Sequence, residues 1–212
     1  MVRLAELSGQ GQDWAEARLA FRWPHIDSYN IAADCLTADP STPAILVADD
    51  DGVTTVTFGE LDTFSATVAG HLVSLGCVPG DRVAIKLSQS MEMAKCVLGA
   101  LRAGLVVVPL STVLGDDGLR HRLADSTPRV LIAAGSQHDI ELADTVDAAL
   151  LAPGDLRTDA APGFVATAPD SPALLMYTSG TTGKPKGVLH GHRVLLGHHS
   201  INYALDRIRP GD

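Results

Sequence analysis

Leu105-Val106-Val107-Val108-Pro109-Leu110 is almost uniformly apolar and offers no polar face to water. A run this short and this β-branched reads as a strand buried on both sides, the environment of a parallel sheet covered by helices. Two further runs, Arg82-Val83-Ala84-Ile85-Lys86-Leu87 and Arg129-Val130-Leu131-Ile132-Ala133, read as companion strands. The stretches between them carry helical signals. A helix is predicted from about Gln89 to Ala103, stopped by Gly104, and a shorter one over 116–125 with Leu119 and Leu123 turned inward. Strands alternating with helices predict an α/β fold, layered, with a largely parallel sheet and flanking helices.

Upstream, Thr57-Phe58-Gly59-Glu60 spells a capping box, and Leu61, Phe64, Val68, Leu72 and Leu75 follow at steps of three and four. Gly76 is the predicted C-cap of that helix, and Pro79-Gly80 a turn. Ala44-Ile45-Leu46-Val47 and Val53-Thr54-Thr55-Val56-Thr57 read as two strands around the turn Asp50-Asp51-Gly52. Near the N-terminus, residues 12–22 are predicted as an amphipathic helix with Trp14, Ala17 and Phe21 on one face, ended by Trp23-Pro24. Ser28 is the predicted N-cap of a helix through Leu36. Residues 139–151 are predicted as a further helix, and the Pro-, Gly-, Ala- and Asp-rich stretch 152–172 as a linker.

The stretch Met176-Tyr177-Thr178-Ser179-Gly180-Thr181-Thr182-Gly183-Lys184-Pro185-Lys186-Gly187-Val188 has a composition that few structural roles need. Its glycines let backbone N–H groups approach a ligand, its hydroxyls add short donors, and its lysines add mobile positive charge. A polyphosphate is the natural guest. The pattern fails as a Walker A loop: the first glycine would fall at Thr178, and Pro185 stands where a Ser or Thr should follow the lysine. Proline disfavours helical geometry before it, so the loop is predicted to join two strands rather than to open a helix.

A chain of 212 residues, 46% of them hydrophobic, has the means to bury a substantial core. Its formal net charge of −9 argues against nucleic acid or an acidic membrane surface as partner, so positive charge for a polyphosphate has to be concentrated locally, in this loop. The three cysteines Cys35, Cys77 and Cys96 are widely spaced, which suggests neither a disulfide framework nor a zinc site. No apolar run approaches the ~20 residues of a membrane span, and no signal-peptide core is present. A cytoplasmic location is expected.

The run from Tyr177 to Gly187 resembles the signature loop of the adenylate-forming (AMP-binding) enzymes, among them acyl-CoA synthetases, luciferases and the adenylation domains of peptide synthetases. Thr57-Phe58-Gly59-Glu60-Leu61, Pro79-Gly80-Asp81-Arg82-Val83-Ala84-Ile85 and Gly99-Ala100-Leu101-Arg102-Ala103-Gly104 extend the resemblance over most of the chain. Trp23-Pro24, Asn30-Ile31-Ala32, Cys35-Leu36 and Leu189-His190-Gly191-His192-Arg193 resemble the acetyl- and medium-chain acyl-CoA synthetase branch. The resemblance implies two steps: a carboxylate attacks the α-phosphorus of ATP to give acyl-AMP and pyrophosphate, and a thiol, usually coenzyme A, then displaces AMP. It implies that Thr178, Ser179, Gly180, Thr181, Thr182, Gly183, Lys184 and Lys186 hold the ATP phosphates. By the same resemblance Lys184 is expected to be the phosphate-facing cation, Lys186 is equally suited to a structural role, and the Thr181 and Thr182 hydroxyls are expected near the phosphates or Mg²⁺. No residue reads as a nucleophile or general base, and this chemistry needs none.

Two units follow: 1–170, an α/β subdomain with the early helices and hairpin, and 171–212, the loop hairpin and a helix with Val194, Ile201, Leu205 and Ile208 in a stripe, opening the next subdomain. Pro210-Gly211-Asp212 repeats the earlier Pro79-Gly80-Asp81, which precedes a core strand. The expectation is therefore an N-terminal fragment of an acyl-CoA synthetase, inactive alone. It would lack the adenine and ribose contacts, an acidic metal ligand, most of the acyl pocket and the C-terminal domain with its catalytic lysine. Exposed sheet edges would favour self-association, and the 178–186 loop is expected to be poorly ordered without nucleotide. A short non-catalytic protein that binds a nucleotide or a partner is the alternative, and a phosphotransferase is disfavoured by the failed Walker A pattern. His190, His192, His198 and His199 suggest a metal less than they suggest ordinary surface or core-edge histidines; by resemblance His192 sits near the acyl or nucleotide pocket. Asp49-Asp50-Asp51 reads as a solvated turn, Asp116-Asp117 as a helix N-terminus, and Met91, Met93 and Cys96 as core-facing helix residues.

Overall fold

A computed structural model describes residues 25–49, 52–157, 162–178 and 183–198. In chain order the elements are α1 (Ile31–Cys35), β1 (Pro43–Asp49), β2 (Gly52–Thr57), α2 (Phe58–Ser74), β3 (Arg82–Lys86), α3 (Met91–Arg102) and β4 (Val106–Pro109). They continue with α4 (Asp116–Ser126), β5 (Val130–Ala133), α5 (Gln137–Asp144), β6 (Ala149–Leu151), β7 (Pro172–Thr178) and β8 (Lys186–Gly191). Strands β1 and β2 form an antiparallel hairpin of their own. The other strands make a six-stranded sheet in the order β6-β5-β3-β4-β7-β8, parallel except for β8 against β7.

Alternation along the strands sorts the core into two layers, because successive side chains point to opposite faces. Val83, Ile85, Val107, Val130 and Ile132 face a layer with Val68, Ala69 and Leu72 of α2 and Cys96, Ala100 and Leu101 of α3. Ala84, Val108, Leu131 and Ala133 face Leu119 and Leu123 of α4 and Leu142 and Ala143 of α5. Helices thus cover both faces of a parallel sheet, the doubly wound arrangement that the apolar strands predict.

Local signals set the helix starts. Thr57 and Glu60 form the predicted capping box of α2, the Glu60 carboxylate accepting from the Thr57 backbone at 2.9 Å. Ser90 caps α3 and Ser136 caps α5. Helices α2 and α3 approach so closely that a Cβ built on Gly99 would lie 2.4 Å from Val68 Cβ, where only hydrogen fits.

Three sequence expectations are corrected. Asn30, rather than Ser28, caps α1: its Oδ1 accepts from the Ala32 and Ala33 amides at 2.9 and 3.4 Å. Its Nδ2 donates to the carbonyls of Leu101 and Val165 at 2.8 and 3.1 Å. An asparagine satisfies both tasks from one buried side chain, and a serine has no amide to do so. The helix expected over 139–151 is α5 followed by the edge strand β6. The chain turns through Asp147 at φ 54°, and the Ala149 amide donates to the Arg129 carbonyl at 3.0 Å, starting a ladder beside β5. The expected linker 152–172 is held to the rest of the fold in its described stretches. Its described stretch from 162 is a strap: Val165 N–H donates to Arg102 O at 2.9 Å, Tyr29 N–H to Thr167 O at 2.8 Å, and the Arg102 guanidinium lies 4.0 Å over the Phe164 ring. The predicted helix 12–22 with Trp14, Ala17 and Phe21, the residues Trp23-Pro24, the turn residues Asp50 and Asp51, and Ile201, Leu205 and Ile208 lie outside the described residues.

His192 joins the end of β8 to the start of α1. Its side chain is 0% exposed, and Nδ1 accepts the Ile31 amide at 3.1 Å, taking one of the donors a helix start leaves without an intrahelical partner. Burial pushes its pKa below the usual histidine value. The unfolded chain therefore takes up a proton that the native ring refuses, so stability falls as pH drops below about 6.5. Urea unfolding between pH 7.5 and 5.5 should show this loss, and His192→Asn, which keeps an acceptor near Nδ1 without a titrating ring, should reduce it; an unchanged slope would contradict the assignment. Gly99→Ala should lower stability by about 1–3 kcal/mol in the same measurement, through overpacking of α2 against α3.

Candidate functional site

Strands β7 and β8 carry the glycine- and hydroxyl-rich loop out of the sheet as a hairpin, as the sequence predicts. Thr178 pairs with Lys186, Tyr177 with Gly187 and Met176 with Val188. Because β7 runs parallel to β4, with Leu174 opposite Val107, the loop leaves by the same sheet edge as the turns that follow β3 and β4. Ala173, at the base of β7, is fully buried and anchors the hairpin in the core.

Of the sequence-predicted site residues, Thr178, Gly183, Lys184 and Lys186 are brought together at the tip of this hairpin, and all are exposed. Ser179, Gly180, Thr181 and Thr182 lie outside the described residues, and with them the suggested metal-side hydroxyls and the expectation about loop order. No described carboxylate is within ion-pair distance of Lys184 or Lys186, although acidic side chains outnumber basic ones in the chain. Gly183 sits at φ 147° with open space around it, while a Cβ on Gly187 would come within 3.0 Å of Leu175 Cδ1. An exposed pair of lysines without a described carboxylate partner, beside an open glycine turn, fits a polyanion.

Helix α4 lies against both stems of the hairpin. The Tyr177 hydroxyl donates to the Asp125 carboxylate at 2.6 Å, and the His121 imidazole meets the Pro185 carbonyl at 3.0 Å. Burial and the Asp125 carboxylate push the Tyr177 phenol far above its usual range, so it remains a donor. Sequence reasoning missed His121 and Asp125, because nothing local links positions 52 and 64 residues apart.

A cleft of about 510 Å³ opens beside Tyr177, lined by Ser88 and Gln89 after β3 and by Ser111 and Thr112 after β4. From β3 the chain passes to β4 on one side and then to β5 on the other, so the cleft stands where the strand order reverses. Such a point outside the carboxyl ends of the strands is where α/β sheets receive ligands. At the same edge Lys86 and the fully buried Asp139 pair at 2.6 Å. Burial would raise the Asp139 pKa, but hydrogen bonds from Lys86 and Ser136 outweigh it and hold the carboxyl below its usual value. This pair pins α5 to β3.

The remaining reactive types are committed elsewhere. His192 faces Ile31 in the core, and no cluster of three His, Cys, Asp or Glu suited to a metal exists among the described residues. The three cysteines are free thiols, and burial pushes the fully buried Cys96 up to about 12, so it is not a thiolate near neutral pH.

The family model for AMP-binding enzymes matches residues 34–210. Nonribosomal peptide synthetase sidC of Arthroderma benhamiae is 37% identical over 166 residues, 77% of this chain and 3% of that protein. Surfactin synthase subunit 2 of Bacillus subtilis is 34% identical over 147 residues, 66% of this chain and 4% of that protein. The structure of ATP-bound MatB from Rhodopseudomonas palustris superimposes with a TM-score of 0.73 at 29% identity, over 87% of this chain and 39% of MatB. The chain thus spans a small part of the curated relatives and well under half of MatB. No helix among the described residues is long and apolar enough to cross a membrane. Fold, loop and match agree: the chain belongs to the AMP-binding family of adenylate-forming enzymes and corresponds to its N-terminal portion.

Proposed function

We propose that this chain supplies the phosphate grip of an ATP-dependent ligase that converts a carboxylic acid to its acyl-adenylate and releases pyrophosphate. The observation that carries the proposal is the hairpin tip, where Lys184 and Lys186 stand exposed without described carboxylate partners beside Thr178 and Gly183. In this reading Thr178, Ser179, Gly180, Thr181, Thr182, Gly183, Lys184 and Lys186 hold the β- and γ-phosphates. The carboxylate oxygen bonds to the α-phosphorus as the bond to the bridging oxygen of pyrophosphate breaks. Both the approach of an anion to a polyanion and the charge gathering on pyrophosphate oppose the step, and fixed donors offset them. Mg²⁺ bound with ATP would supply neutralisation of phosphate charge, and Thr181 and Thr182 are the residues that would stand by the phosphates or the metal.

The second step in this proposal transfers the acyl group to coenzyme A, as in the acyl-CoA synthetase branch that Trp23-Pro24 and His190-Gly191-His192 resemble. Its setting would be the cytoplasm, which accords with three free thiols. Similarity to peptide synthetases at 34–37% identity favours a second reading, in which the acid is an amino acid. The units 1–170 and 171–212 remain our proposed division, with self-association through exposed sheet edges part of the same proposal. A short non-catalytic nucleotide- or partner-binding protein is the competing outcome.

Acid-dependent exchange of pyrophosphate into ATP tests the adenylation step. A longer protein that contains this sequence should exchange with an acid present, and Lys184→Met should slow it on the order of 10²-fold. The 212-residue chain alone should show none. A panel of fatty and short-chain acids against amino acids, with coenzyme A as acceptor, separates the two branches. ADP formation with no acid present would overturn the adenylation reading.

A further inference from the structure

We propose that His121 and Asp125 on α4 are positioning residues that fix the two stems of the phosphate loop for its nucleotide, an inference that rests on the phosphate-binding reading above. Four residues apart on a helix, they share one side of α4. Asp125 takes the entry stem. Its carboxylate accepts the Tyr177 hydroxyl at 2.6 Å, the same hydroxyl lies 3.3 Å from the Arg122 carbonyl, and the Arg122 guanidinium sits 5.5 Å from the Tyr177 ring centre. His121 takes the exit stem through the Pro185 carbonyl at 3.0 Å. A carbonyl only accepts, so this contact requires the hydrogen on Nε2.

The position of Pro185 gives the second contact its consequence. The β7–β8 ladder closes at Thr178 and Lys186, so Pro185 lies just beyond it, and proline has no N–H with which to extend it. Its carbonyl belongs to the residue directly after Lys184. Holding that carbonyl on α4 fixes where the backbone stands as the Lys184 side chain leaves it. Helix α4 is itself fixed to the sheet by the buried Leu119 and Leu123. Both stems therefore refer to one rigid body. Ordering a glycine-rich loop around a polyphosphate costs conformational freedom, and pinning its ends beforehand lowers that cost. The ladder survives loss of either side chain, so the effect falls on the ligand more than on the fold.

Calorimetric titration of the full 212-residue chain with MgATP, and with magnesium pyrophosphate as the smaller probe, tests this, together with thermal melting of each variant. His121→Ala should weaken both ligands about 5-fold, the worth of one hydrogen bond, with little change in melting temperature. Tyr177→Phe, which removes only a hydroxyl, should weaken them similarly, and His121→Gln, which keeps an N–H donor, should recover most of the loss. Equal affinity of wild type and His121→Ala would overturn the inference alone. So would weakening that Gln does not rescue and that tracks a fall in melting temperature. A wild-type chain that binds neither ligand would overturn the phosphate reading, and this inference with it.

Discussion

The junction of β7 with β4 is the contact on which the site depends. A parallel sheet buried on both faces presents its carboxyl edge as one row of turns, and β7 joins that row by lying parallel to β4 with Ala173 buried beneath it. The return strand β8 then sets the loop by register, with Thr178 opposite Lys186. One residue of slip would turn every side chain of the hairpin to the opposite face. Leu174 and Leu175, packed against opposite layers of the core, oppose that slip. Core packing therefore decides where the lysines stand.

Charge gives the same region its meaning. In a chain with a net charge of −9, a bound polyanion has to be met by local positive charge rather than by the mean field. Most described cations are already engaged: Lys86 with Asp139, Arg102 with Asp62 and Arg120 with Asp116. Lys184 and Lys186 have no such described partner. The cleft at the strand-order reversal borders the loop through Tyr177, so two features of the carboxyl edge meet at one residue.

Local chemistry was the legible part of the sequence. The apolar run at 105–110, the capping box at Thr57 and Glu60 and the turn-forming Pro185 each act over a few residues, and each appears as read. What the sequence concealed depends on partners far along the chain. Asn30 is preferred to Ser28 as a cap because Leu101 and Val165 offer it carbonyls. Leu150 and Leu151 form a strand because β5 has an edge to extend, although their spacing also suits a helix. His192 reads as a histidine near a pocket or surface and becomes a buried acceptor for Ile31. At the site, the hairpin that joins Thr178 to Lys186 was legible and its supports on α4 were not.

The central claim is that the hairpin tip holds the phosphates of ATP, and amide chemical shifts test it most directly. An ¹⁵N-labelled 212-residue chain titrated with magnesium pyrophosphate should show its largest changes across 178–186, weakening as salt is raised. Changes centred on His190 to Arg193, or none in the loop at saturating ligand, would contradict it.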